Sequence, residues 1–189
     1  MIRFIHIPKT GGAAVRQYLL DNNIEHKFGS KKANNVYAKK HRYASYWLEK
    51  YSGEKNIDYF CVVRNPYTRL ASYYRYVIKH NALSKSVSWE EFVKNKIDFQ
   101  NHYPWDLQIN WIYDKNYSTK LVTNIFKFEN LENDVNKFFR LKIPMKQVNV
   151  TNSGNINYMQ EYYHDKEIRD IVTEHFVKDF VFLDYDIIM

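Results

Sequence analysis

The first twelve residues, Met1-Ile-Arg-Phe-Ile-His-Ile-Pro-Lys-Thr-Gly-Gly12, constrain the fold more than any other stretch. An apolar run over 2–7 ends at Pro8. A lysine, a hydroxyl and two glycines follow. The chain then turns helix-like through Ala13, Ala14, Val15, Tyr18, Leu19 and Leu20. A strand, a glycine turn with one lysine and a helix start make a site for an anion. Glycines let backbone N–H groups approach a ligand closely. The helix N-terminus adds unpaired donors and a partial positive charge, and Lys9 adds a full one.

The rest of the chain alternates strands with helices. The pattern predicts further strands over 57–64 and 123–128. It predicts helices over 13–22, 43–51, 67–79, 88–96, 104–113, 130–140 and 165–178. Ser88 with Glu91 three residues on is a capping box for the helix over 88–96. Residues 24–42 read as irregular and lysine-rich, with a short strand near Val36. This order implies an α/β fold with a central, mostly parallel sheet flanked by helices. No repeat or long linker divides it, so residues 1–189 are expected to form a single domain. In such sheets ligands sit beyond the carboxyl ends of the strands. The Pro8–Gly12 and Arg64–Pro66 turns both fall at such ends. They would face one crevice if the two strands are parallel neighbours.

Composition narrows the class. A chain of 189 residues, 45% hydrophobic, is long and apolar enough for a folded core and excludes a disordered chain. Lys+Arg 28 against Asp+Glu 21 leaves a net charge of +7. That balance suits an anionic partner, such as a nucleotide, an acidic glycan, nucleic acid or a membrane surface. Solvated lysines account for it equally well. The single cysteine, Cys61, excludes an intrachain disulfide and reads as a buried strand thiol. No stretch approaches the roughly 20 apolar residues that span a bilayer. The N-terminus lacks the layout of a signal peptide, so a cytoplasmic protein with no transmembrane segment is expected. The seven histidines are scattered and no paired Cys/His spacing occurs, so no metal is expected.

The second chemical segment is Val63-Arg64-Asn65-Pro66-Tyr67-Thr68-Arg69-Leu70-Ala71-Ser72-Tyr73-Tyr74. An arginine closes a buried strand, and Pro66 suits the first turn of the next helix. Arg64 can offer a bidentate fork to a phosphate, and Ser72 can add a hydroxyl from the helix. The plainer alternative is a strand-end arginine paired to a carboxylate, with Ser72 an ordinary helix residue. The first segment is neither Gly-x-x-x-x-Gly-Lys-Ser/Thr nor Gly-x-Gly-x-x-Gly. Taken alone, its glycine turn could be a tight connection.

Taken together, the two segments resemble the sulfotransferases that use 3′-phosphoadenosine 5′-phosphosulfate (PAPS). The likeness is to their carbohydrate-type branch, which includes the heparan sulfate 2-O- and 6-O-sulfotransferases and small bacterial enzymes. Weaker matches follow in order: Lys40-His41, Phe128-Glu129-Asn130-Leu131, Asn149 with Thr151 and Ser153, and Asp179 through Tyr185. The resemblance implies a P-loop-like three-layer fold. It also implies PAPS as co-substrate with PAP as product and no metal, and a carbohydrate or other hydroxyl acceptor. It assigns Pro8, Lys9, Thr10, Gly11, Gly12 and Ala13 to the 5′-phosphosulfate, with Lys9 also steadying the leaving phosphate oxygen. It assigns Arg64 and Ser72 to the 3′-phosphate. His41 is the expected general base and Glu129 the reserve. The family loop usually continues with Thr or Ser after Gly-Gly. Ala13 and Ala14 stand there instead, which removes two hydroxyl donors and leaves backbone N–H groups and Thr10.

Other residues admit two roles. His6 fits a core or supporting histidine better than a base. Tyr73, Tyr74, Tyr76, Trp105 and Trp111 could stack on a sugar, but aromatics at helical spacing are more often core. Three rival functions stand beside sulfuryl transfer. A P-loop-like nucleotide kinase or hydrolase needs a strand-end aspartate for magnesium, and Asp184 after Phe180-Val-Phe-Leu is the one passable candidate. A basic, aromatic-rich nucleic-acid binder fits the charge, but no motif supports it. A catalytically dead member of the same fold is the third.

Overall fold

A computed structural model describes residues 2–27, 41–53, 56–98, 103–146 and 157–188. In chain order they form β1 (Ile2–Ile5), α1 (Gly12–Asp21), β2 (His26–Lys27), α2 (Ala44–Lys50), β3 (Asp58–Val63), α3 (Pro66–Lys79), α4 (Trp89–Lys94), β4 (Asn124–Lys127), α5 (Leu131–Phe139), α6 (Tyr158–Tyr162) and α7 (Lys166–Phe182). The residues gather into two compact units. The first comprises Met1–Arg64 and Gln108–Asn149, the second Asn65–Leu107 and Val150–Met189.

The first unit holds the sheet. Its order is β2-β1-β3-β4, and every pairing is parallel. Ile5 sits opposite Cys61, and Val63 opposite Lys127. Side chains alternate across the sheet with period two. Phe4, Phe60, Val62 and Phe126 face one way and pack with Val15, Tyr18 and Leu19 of α1 and Leu131 and Val135 of α5. Arg3 faces the other way. Its guanidinium lies 3.9 Å from the centre of the Tyr51 ring and 5.0 Å from that of Trp47, which α2 supplies. Helices therefore cover both faces, giving the expected α/β sandwich of three layers. β1 has β2 on one side and β3 on the other. The sheet's direction of growth reverses there, which makes the carboxyl ends of β1 and β3 a topological switch point.

The second unit is helical. Its core is aromatic, built on Tyr67 and Tyr73 of α3, Trp89 and Phe92 of α4, Trp105, Tyr162, Tyr163, and Phe176 and Phe180 of α7. Three of these rings, Trp89, Trp105 and Tyr163, donate to backbone oxygens, as buried polar groups tend to. Tyr163 Oη donates to Tyr67 O at 2.8 Å, and Trp105 Nε1 donates to Ile97 O at 2.9 Å. Buried Arg69 donates to Asp106 O at 2.9 Å and Tyr103 O at 3.1 Å.

Several sequence expectations need correcting. β1 ends at Ile5 rather than 7 because residues 6–10 leave the ladder to form the turn. The helix expected over 104–113 is only a 3-10 turn, Gln108–Trp111, in which Gln108 spends its amide on β3. The final helix runs on to Phe182, past an irregular Phe176, so Asp184 follows a helix and not a strand. That removes the magnesium-ligand geometry of the kinase alternative. The short helix α6 had no counterpart in the sequence pattern. Val36, Lys40, Asn149, Thr151 and Ser153 lie outside the described residues.

Candidate active site

The Pro8–Gly12 loop leaves β1 and enters α1 directly. Lys9 (φ 67) and Gly11 (φ 85) are left-handed, while the residues between and beside them are not. Alternating hand curls successive N–H groups toward one side, the backbone geometry of an anion nest. Thr10 is fully buried, and its hydroxyl donates to Ile7 O at 2.9 Å. Its proton is thus committed to closing the loop, which leaves the backbone N–H groups and the Lys9 ammonium as the loop's donors. Gly11 is the N-cap of α1, and that helix has neither a side-chain cap nor an acidic residue in its first turn. The first N–H returning to the loop within the helix is that of Ala14, which donates to Gly11 O at 2.9 Å. The N–H groups of Gly12 and Ala13 have no acceptor among the described residues. No carboxylate in that turn competes with an anion for them.

Both glycines are required for reasons the sequence did not reveal. A Cβ on Gly11 would lie 2.9 Å from the Phe128 ring, in a backbone region L-residues avoid. A Cβ on Gly12 would lie 2.0 Å from His6 Nε2. The second glycine makes room for a histidine of its own chain as well as for close ligand approach.

Arg64 follows β3, the parallel neighbour of β1, and is 8% exposed. Its Nη1 donates to Lys9 O at 3.3 Å, and its guanidinium lies 4.2 Å from the centre of the Phe128 ring. The two motifs, 55 residues apart, therefore meet at the switch point. Arg64 is anchored by Gln108, which is fully buried. Arg64 N donates to Gln108 Oε1 at 2.9 Å, and Gln108 Nε2 donates to Arg64 O at 2.8 Å. The side-chain amide acts as one more residue of ladder at the strand end. Sequence reasoning missed both Gln108 and Phe128 as site-forming residues. The available signal for Gln108 was a lone amide between Leu107 and Ile109.

His41 also arrives here. Its Nδ1 lies 2.9 Å from His6 O, and its ring centroid lies 4.4 Å from that of His6. A carbonyl oxygen only accepts, so Nδ1 carries the hydrogen and Nε2 of the neutral ring holds a lone pair. That is the tautomer a proton acceptor needs. Trp111, buried, meets His41 edge-on with centroids 6.3 Å apart. Glu129, the reserve base, is exposed in the 3-10 turn after β4.

Asn65, next after Arg64, caps α3. Its Oδ1 accepts from Tyr67 N at 3.0 Å, and Pro66 takes the first helical position. Ser72 is half-buried on α3, in the second unit. Tyr73 and Trp105 are core, as is Trp111 in the first unit, while Tyr74 donates to Val87 O at 2.7 Å. Among the described residues no trio of His, Cys, Asp or Glu could hold a metal ion, and no helix is long and apolar enough to cross a membrane.

The switch point of the parallel sheet thus brings together the glycine-built loop of Lys9, the Arg64 guanidinium and the His41 ring. The sequence model of the Sulfotransferase family matches residues 1–186, and the chain belongs to that family. It is a transferase enzyme that moves a sulfuryl group. Among solved structures, a sulfotransferase from Alicyclobacillus acidocaldarius is 12% identical, with a TM-score of 0.48. The alignment covers 98% of this chain and 96% of that one. No curated protein matches the chain.

Proposed function

We propose that this enzyme moves the sulfuryl group of 3′-phosphoadenosine 5′-phosphosulfate to a hydroxyl of a carbohydrate acceptor, with residues 1–189 working as a single sulfotransferase domain. The observation that carries this reading is the junction of Arg64 with the Lys9 loop at the ends of two neighbouring parallel strands. A donor with two phosphate-type groups needs two cationic holds, and Lys9 and Arg64 are the two residues this reading assigns to them. The fit extends to the N–H groups of Gly12 and Ala13, which have no acceptor among the described residues, and to the absence of an acidic residue in the first turn of α1.

When bound, the donor supplies a sulfuryl group carried on a phosphate leaving group. Lys9 and the backbone N–H groups of Thr10, Gly11, Gly12 and Ala13 hold its 5′ end, and Pro8 sets the turn that carries them. The Lys9 ammonium offsets the negative charge that grows there. Arg64 holds the 3′-phosphate, which selects this donor over ATP-like nucleotides. His41 receives the acceptor hydroxyl proton at Nε2 as the acceptor oxygen becomes a nucleophile, leaving an imidazolium whose Nδ1–H stays on His6 O. The scheme uses no metal. Net charge +7 favours an anionic acceptor and anionic donor alike.

The test is calorimetric binding of PAP to the wild type and to Lys9→Ala and Arg64→Ala. A charge-assisted hydrogen bond contributes about 1.5–3 kcal/mol, so each substitution should weaken binding roughly 10- to 100-fold. Unchanged affinity in either variant would remove that residue from the donor site. Mass spectrometry of a glycan panel incubated with PAPS identifies the acceptor. His41→Ala should then lower turnover on that acceptor by about 100-fold or more.

A further inference from the structure

His6 touches both halves of the catalytic apparatus. One edge of its ring lies against Gly12, so close that a single added carbon there would sit 2.0 Å from Nε2 and 2.1 Å from Cδ2. Its ring also packs with that of His41, centroids 4.4 Å apart, and its carbonyl holds His41 Nδ1–H. Phe4 stacks on it from β1, centroids 5.4 Å apart and planes 22° off parallel. The ring is a wedge between the first residue of α1 and the base, backed by the sheet. Packed interiors transmit displacement because they have little room to absorb it. A shift of Gly12 must therefore move His6, and with it His41.

We propose that His6 is a positioning residue that couples the donor loop to the general base, so that occupation of the loop at Gly12 sets the position of His41. This rests on the donor reading above. Its consequence is an ordered active site in which the base is aligned once the loop has closed on its anion. His6 acts through packing, and its own ionisation plays no part.

Two experiments test this. The first uses the free protein and needs no ligand. Gly12→Ala should lower the thermal midpoint because its Cβ collides with His6. His6→Ala/Gly12→Ala should recover most of that particular loss, a non-additive cycle. An additive cycle would overturn the contact. The second follows the His41 ring by NMR in histidine-labelled protein, assigned with His41→Gln, as PAP is added. The wild type should show a PAP-dependent shift. In His6→Ala the shift should fall at least about threefold while PAP affinity stays within about threefold. His6→Phe, which keeps a ring in the wedge, should restore the response. If His6→Ala does not fold, His6→Leu replaces it in both experiments.

An undiminished His41 response without the ring overturns the proposal, as does a His6→Phe variant that behaves like His6→Ala. Failure of PAP to bind the wild type would count against the donor reading alone. The thermal cycle would still decide the Gly12–His6 contact on which the coupling depends, and an additive result would overturn it.

Discussion

Gln108 is the residue whose loss the structure prices most directly. Replacing it with methionine keeps the side chain's length and volume but removes both partners of Arg64's backbone. Arg64 N–H and C=O then stand at a buried strand end with nothing to bond. Leaving a buried polar group unsatisfied costs about 1–3 kcal/mol, so two cost roughly 2–6 kcal/mol. The more apolar side chain recovers on the order of 1–2 kcal/mol. The net loss is about 1–4 kcal/mol, set against the roughly 5–15 kcal/mol that holds a protein folded. At about 2–4 °C per kcal/mol for a chain of this size, the thermal midpoint should fall by roughly 2–16 °C. Urea unfolding followed by circular dichroism and by tryptophan fluorescence measures it. Trp47 and Trp111 report on the first unit and Trp89 and Trp105 on the second. PAP affinity should drop as well, because the guanidinium is carried on the backbone that Gln108 holds. A Gln108→Met protein within about 0.5 kcal/mol of wild type would refute the reasoning. The strand end would then be held by something other than this amide.

Three further outcomes follow from the same geometry. Asn65→Ala removes the cap of α3 and should cost about 1 kcal/mol in thermal unfolding, with Asn65→Asp close to neutral. Gly11→Ala forces a Cβ into a left-handed residue and against Phe128. It should destabilise by roughly 1–3 kcal/mol and weaken PAP binding, and Phe128→Ala should relieve the collision but not the backbone strain. Burial pushes the Cys61 thiol far above its usual ionisation range. The folded thiol keeps its proton while the unfolded one ionises near pH ~8.5–9. This contribution to stability is therefore complete below that range. It is lost as pH rises, at about 1.4 kcal/mol per unit. Cys61→Ala should flatten the alkaline limb of a stability–pH curve, and native protein should resist a thiol reagent at pH 8.

The two strands that carry the site were legible as apolar runs, and the parallel pairing of β1 with β3 follows the alternation of strands and helices. The caps were legible too. Ser88 accepts from Glu91 N at 3.1 Å, as the spacing predicts. The 104–113 segment misled because Trp105, Gln108, Ile109 and Trp111 have helical spacing. That spacing arises from burial in two different units, Trp105 in one and Trp111 in the other. Helix α6 was missed because five residues around two tyrosines are too short to show a period.

Some properties are local and are written in the chain order. The apolar run, the break at Pro8, the Lys-Thr-Gly-Gly turn and the following helix need only neighbouring residues, so their chemistry is present in the sequence. Long-range packing decided the rest. Gly12 must be glycine because His6 fills the space beside it. Arg64 joins Lys9 because β3 chose β1 as its parallel neighbour. His41 acquires its tautomer from a carbonyl 35 residues away. Contacts between residues far apart in the chain leave no periodic trace in either segment, and only the folded structure brings the two sides together.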